Sequence, residues 1–165
     1  MTLKRAFDPV VDARTRLLIL GSLPGDASLK AGQYYGHPQN GFWRLMSGVI
    51  ATDLVALPYA ERLEALRAAG VGLWDVIATA ERRGSLDGAI RKAEAADLNQ
   101  LTAGLPALRA IAFNGATAAR IGRRSLTLAT GPDLIDLPSS SPAFTRPLAE
   151  KARAWAALSV VIAGS

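Results

Sequence analysis

At 165 residues the chain has the length of one domain, and its 50 % hydrophobic content is ample for a single core. It has no cysteine and 1 histidine, which excludes disulfides, thiolate nucleophiles, iron–sulfur clusters and any multi-histidine metal site. Against 14 acidic side chains stand 19 basic ones, a net charge of +5, and that balance favours a polyanionic partner.

The basic excess lies at the two ends of the sequence, residues 1–60 and 105–165, and not in the middle. No apolar run approaches the roughly 20 residues needed to span a bilayer, and the segment Met1 to Val11 lacks a continuous apolar stretch of signal-peptide length. A cytoplasmic protein without a membrane partner is the expectation.

In chain order, Arg16 to Gly21 is a short apolar run ending in glycine, which predicts a strand buried on both faces. After a segment rich in Gly, Pro and Tyr, Phe42, Met46 and Ile50 recur at four-residue spacing and predict a helix with one buried stripe. Pro58 and Gly70 bracket a second helix with Leu63 and Leu66 on one face. Val71 to Ile77 follows as a strand. Asp97 and Gln100 form a capping pair for a short helix. Leu108 to Phe113 is the third strand, followed by Asn114, Gly115 and a small-residue helix ending near Gly122. Asp133 to Leu137 is the fourth strand, and Pro147 opens a final helix with Leu148, Trp155 and Leu158 inward.

Strands alternating with helices predict an α/β fold, a three-layer α/β/α sandwich around a central, mainly parallel four-stranded sheet in a single domain spanning 1–165. Ligands of such sheets bind beyond the strand C-termini. Those termini lead into Gly21, Ser22, Leu23, Pro24 and Gly25, into Asp75, into Asn114, and into Pro138, Ser139, Ser140, Ser141 and Pro142, so four separated segments should meet at one cleft.

The glycines of Gly21 to Gly25 let backbone approach a ligand while Pro24 fixes the turn; equally, such a segment is an ordinary tight turn. Tyr34 to Trp43 crowds two tyrosines, His37, an amide and a proline just before a helix. Aromatic faces stack on bases, and amides read base edges or hold water. Asn40 also stands where an N-cap belongs, and His37 suits a structural hydrogen-bonding role.

Five pieces in order resemble the uracil-DNA glycosylase superfamily, in particular its hypoxanthine-DNA glycosylase branch: Gly21 to Gly25, Gln33 to Trp43, Leu73 to Val76 with Glu81 to Asp87, Ala112 to Gly115, and Leu137 to Ala143. The resemblance implies a monofunctional, cofactor-free enzyme on double-stranded DNA containing a deaminated base, working as a monomer. Hypoxanthine is the first expectation, with uracil and xanthine as further bases. The nucleotide would be flipped from the duplex, and its N-glycosidic bond broken through an oxocarbenium-like state that water completes.

The resemblance assigns catalysis to Asn40, whose neutral amide suits orientation of water rather than removal of its proton. Leu23 stands where better-known branches carry an Asp or Asn for that duty. Tyr35 maps onto the aromatic that stacks on the base. Asp75 maps onto the base reader, accepting from a ring N–H as a carboxylate, with a separate donor for the neighbouring carbonyl near Gly25 or from Asn114. Ser139, Ser140, Ser141 and Pro142 belong to a DNA-contacting loop, and Arg123, Arg124 and Arg146 are candidates for phosphate contacts. A damaged-base binding module without catalysis and a hydrolase of free nucleotides or nucleosides are the competing readings.

Overall fold

The computed structural model describes residues 2–82, 85–127 and 131–163. Its centre is a four-stranded sheet of β2 (Leu17–Gly21), β3 (Val71–Asp75), β6 (Ala110–Asn114) and β7 (Asp133–Leu137), in the order β3-β2-β6-β7 with every neighbour parallel. All five residues of β2 are buried, which is why a continuous apolar run betrays it.

The pleat divides the core in two, since successive side chains point to opposite faces. Leu17 and Ile19 face α2 (Phe42–Ile50), α3 (Tyr59–Ala68), α6 (Leu148–Trp155) and α7 (Leu158–Ala163), sharing a cluster with Phe42, Met46, Leu66, Trp155 and Leu158. Leu18 and Leu20 face the other way, into a cluster with Leu98 of α4 (Leu98–Ala103), Ala118 of α5 (Ala116–Ser125), and Ile77 and Ala80. The expected three-layer α/β fold is what the chain forms.

Three differences matter. The strand expected over 71–77 ends at Asp75, and after Val76 the chain enters β4 (Ile77–Arg82). β4 is the middle of a second, antiparallel sheet in the order β1-β4-β5, with β1 (Thr2–Arg5) and β5 (Arg91–Ala95). A short helix, α1 (Asp26–Ala31), interrupts the glycine-rich segment. The final helix is two, α6 and α7, and Leu148 does not point inward: it is 37 % exposed, whereas Trp155 and Leu158 are fully buried. Leu148 opens α6 directly after Pro147, and its tip lies against Gly41 at the start of α2.

Candidate active site

Parallel register puts the ends of the strands side by side, with Gly21 opposite Asp75 and Asn114 opposite Leu137. A cavity of about 420 Å³ opens beyond them, within the ~300–1,000 Å³ usual for small-molecule sites. Its walls include every residue of Gly21 to Gly25, Tyr35, His37, Asn40, Asp75, Asn114, and Ser139 to Pro142. The four segments expected to meet do so.

Asn40 lies one residue before the helix N-cap, which is Gly41. Its Oδ1 accepts from the Phe42 N–H at 3.0 Å and from Ser140 Oγ–H at 2.7 Å. A backbone N–H can only donate, so the amide oxygen must face Phe42 and Nδ2 is the group left over. The residue therefore both ties down the helix start and presents an N–H donor at the pocket.

Ser140, 2 % exposed, is the hub of this wall. Its N–H donates to Asn114 Oδ1 and its Oγ accepts from Asn114 Nδ2, both at 2.9 Å, while its carbonyl accepts from the Gly41 N–H at 2.9 Å. Asn114 is thus bound first to Ser140, with one Nδ2 hydrogen left for anything else. His37 is exposed, and its Nδ1 accepts from the Gln39 N–H at 3.1 Å.

Tyr35 stacks on Phe42, with ring centroids 3.9 Å apart at 11°. Its φ of 54° is in the left-handed region, which bulky side chains seldom enter and which marks strained functional positions. Its hydroxyl lies near Asn114 but makes no hydrogen bond of good geometry. Asp75 is 4 % exposed and its Oδ2 is also without a partner. Burial, reinforced by the negative charge of Asp87 and opposed by Arg82, pushes the Asp75 carboxyl from 3.8 up to about 7. Burial, and then the Asp75 charge, likewise raises the Tyr35 phenol above its ordinary value.

Gly21 makes this arrangement possible. A Cβ there would stand 2.7 Å from Asp75 Oδ1 and 3.1 Å from the Tyr35 hydroxyl.

The remaining wall comes from the connection between β4 and β5 of the second sheet, and sequence reasoning assigned it no role. Ser85, Leu86 and Asp87 line the cavity. Asp87 Oδ1 accepts from Ser22 Oγ at 2.7 Å, and Ser85 Oγ accepts from the Asp26 N–H at 2.7 Å. The fully buried Arg82 donates to the Pro24 carbonyl and faces Asp87 at 3.8 Å. The one signal for this wall was the Glu81 to Asp87 motif, whose residues 83 and 84 lie outside the described residues.

Phe144 was also missed. It lines the pocket at 37 % exposure, with the Arg146 guanidinium and Lys151 ammonium 5.3 and 5.4 Å from its ring centre. Arg123, by contrast, is engaged by Asp136 at 3.0 Å. Leu23 is 6 % exposed and packs in the second core cluster while lining the pocket.

Residues 9–159 match the model of the uracil DNA glycosylase superfamily. The chain belongs to that superfamily. It is 41 % identical over 153 residues to a hypoxanthine DNA glycosylase of Methanosarcina barkeri, covering 93 % of this chain and 96 % of the relative. A hypoxanthine DNA glycosylase of Methanosarcina acetivorans is 40 % identical over 156 residues, covering 94 % and 98 %. A solution NMR structure of a candidate uracil DNA glycosylase from Methanosarcina acetivorans superposes with a TM-score of 0.85 at 37 % identity, covering 99 % of this chain and 100 % of that one. Among the described residues of this superfamily member, no helix is long and apolar enough to cross a membrane.

Proposed function

We propose that the protein is a monofunctional DNA glycosylase that removes hypoxanthine from deoxyinosine in double-stranded DNA, with uracil and xanthine as further bases to be tested. The observation that carries this reading is the meeting of Tyr35, Asn40, Asp75 and Asn114 in one pocket, in a chain that matches hypoxanthine DNA glycosylases over nearly their whole length. The surplus of positive charge and a monomeric cytoplasmic enzyme are consistent with it.

A base can reach this pocket only if it leaves the helix stack, at a cost of a few kcal/mol that is lower at a mismatch. One face of Tyr35 is covered by Phe42, so its other face is the surface on which the base lies. Ser139, Ser141 and Pro142 meet the DNA backbone at the rim, with Arg146 beside Phe144, while the buried Ser140 is taken up by Asn40, Asn114 and Gly41 and only braces the loop.

Asn40 positions the water. With Oδ1 held by Phe42 and Ser140, its Nδ2–H donates to a water oxygen and leaves that oxygen's other lone pair for the anomeric carbon as the base departs with the electron pair of the N-glycosidic bond and takes up the proton that the water sheds. The amide takes no proton, and in a dissociative transition state it needs none, because the nucleophile's position matters more than its basicity. Leu23 contributes only apolar wall.

The test is release of base from duplexes carrying deoxyinosine, deoxyuridine or deoxyxanthosine opposite each normal base, followed by alkaline cleavage of abasic sites. Strand breaks at deoxyinosine support the reading. Tight binding without breaks would instead make the protein a damaged-base binding module, the alternative that Leu23 motivates.

A further inference from the structure

The geometry points to Asp75 reading the base as a neutral carboxylic acid: its C=O accepts from the ring N–H and its O–H donates to the adjoining ring carbonyl. This rests on the glycosylase reading above and deepens it, because it names the edge that the pocket selects. Hypoxanthine, uracil and xanthine share that edge, an N–H beside a C=O.

An ionised carboxylate fits it badly. One oxygen would accept from the N–H, but the other would press its charge against the carbonyl oxygen, since a carboxylate has no proton to give. A separate donor would then be required, and Asn114 has its oxygen and one amide hydrogen occupied by Ser140. The neutral acid satisfies both base atoms with one side chain.

The surroundings of Asp75 favour that form. The residue is 4 % exposed and its Oδ2 has no hydrogen-bond partner. The charged and titratable groups about it are Tyr34 and Tyr35 before α2, Arg82 on β4, and Asp87 in the turn after β4. Of these only Arg82 favours a charged carboxylate, and its guanidinium is bonded to the Pro24 carbonyl and faces Asp87. Burial and Asp87 act in the opposite direction.

Asparagine is the neutral acid's isostere, with the same acceptor and a permanent donor. The experiment is therefore single-turnover release of hypoxanthine by the full chain and by Asp75→Asn, from about pH 5.5 to about pH 9. The wild-type rate should fall about tenfold per pH unit above neutrality while the variant stays level, so the variant-to-wild-type ratio climbs by the same factor. Effects of pH on DNA cancel in that ratio. Parallel profiles, or a variant slowed equally at every pH while its thermal unfolding stays cooperative, would overturn the assignment. A wild-type enzyme that releases no base at any pH would remove the glycosylase reading itself. If Asp75→Asn does not fold, the carboxyl ¹³C resonance of wild-type Asp75 in complex with a duplex bearing an uncleavable fluorinated deoxyinosine decides. A neutral shift that persists above neutral pH supports the assignment, and an ionised one sinks it.

Discussion

Ser140 Oγ donates to Asn40 Oδ1 at 2.7 Å, joining the loop after the last parallel strand to the start of α2. The bond fixes which end of the Asn40 amide faces the pocket, and so joins its structural task to the water-positioning proposed for it.

Asn40→Ala should therefore lose twice: about 1 kcal/mol of stability from the untied helix start, and about a hundredfold in single-turnover rate from a misplaced water. Asn40→Asp separates the two. It keeps an acceptor for the Phe42 N–H but has no N–H to offer, so thermal unfolding should stay close to wild type while the rate falls. A rate that survives would show that donation from Nδ2 is not needed.

Asp87→Asn tests the electrostatics around Asp75. Asp87 raises the Asp75 pKa through its charge, and the amide can still accept from Ser22. Removing the charge should move the fall in rate toward acid by a fraction of a pH unit, since the half-exposed Asp87 is screened by water. A midpoint that stays put or moves to alkaline pH contradicts this.

Stability should carry the same signature. The folded pKa of Asp75, about 7, lies above its ordinary 3.8, so the folded protein binds the extra proton and loses stability as pH rises between those values. Asp75→Asn lacks that loss. Chemical denaturation should show the variant gaining on wild type by up to about 1.4 kcal/mol per pH unit across that window, with no further gain above it.

Gly21→Ala should impair the pocket floor. The new methyl would displace the Asp75 carboxylate and crowd the Tyr35 hydroxyl, costing about 1–3 kcal/mol of stability and about a hundredfold in rate. An active enzyme would place both groups away from the base.

Arg146→Ala should weaken binding of damaged and undamaged duplex alike and lower the salt dependence by about one counterion, the mark of a single phosphate contact. Arg146 is mostly exposed and its partner Glu150 is 3.6 Å away. Unchanged salt dependence would leave it as a surface ion pair.

The parallel sheet was legible because strands buried on both faces are written as unbroken apolar runs, as in Leu17–Gly21 and Ala110–Asn114. The second sheet was not, because Thr2–Arg5 is half charged, Ile77–Arg82 and Arg91–Ala95 mix charged side chains with alanines, and one strand begins two residues after another ends. In the site, the motif residues were visible by type. Their partners were not: Ser140 reads as a turn serine until it is seen between two asparagines a long way apart in sequence, and Arg82 reads as a surface charge until the fold buries it. The raised pKa of Asp75 is written in the fold and not in the motif, since burial sets it first and the charges that modify it, Asp87 and Arg82, are brought there by the second sheet and its connection.

Tyr35 holds a backbone conformation that glycine or asparagine would adopt with less strain, at a cost on the order of 1–3 kcal/mol. Selection for heat resistance alone would therefore tend to replace it, and a library screened only for melting temperature should enrich variants that are sturdier and inactive. In this chain the strained backbone of Tyr35 is set against its stack on Phe42, and such a library would weigh the one against the other.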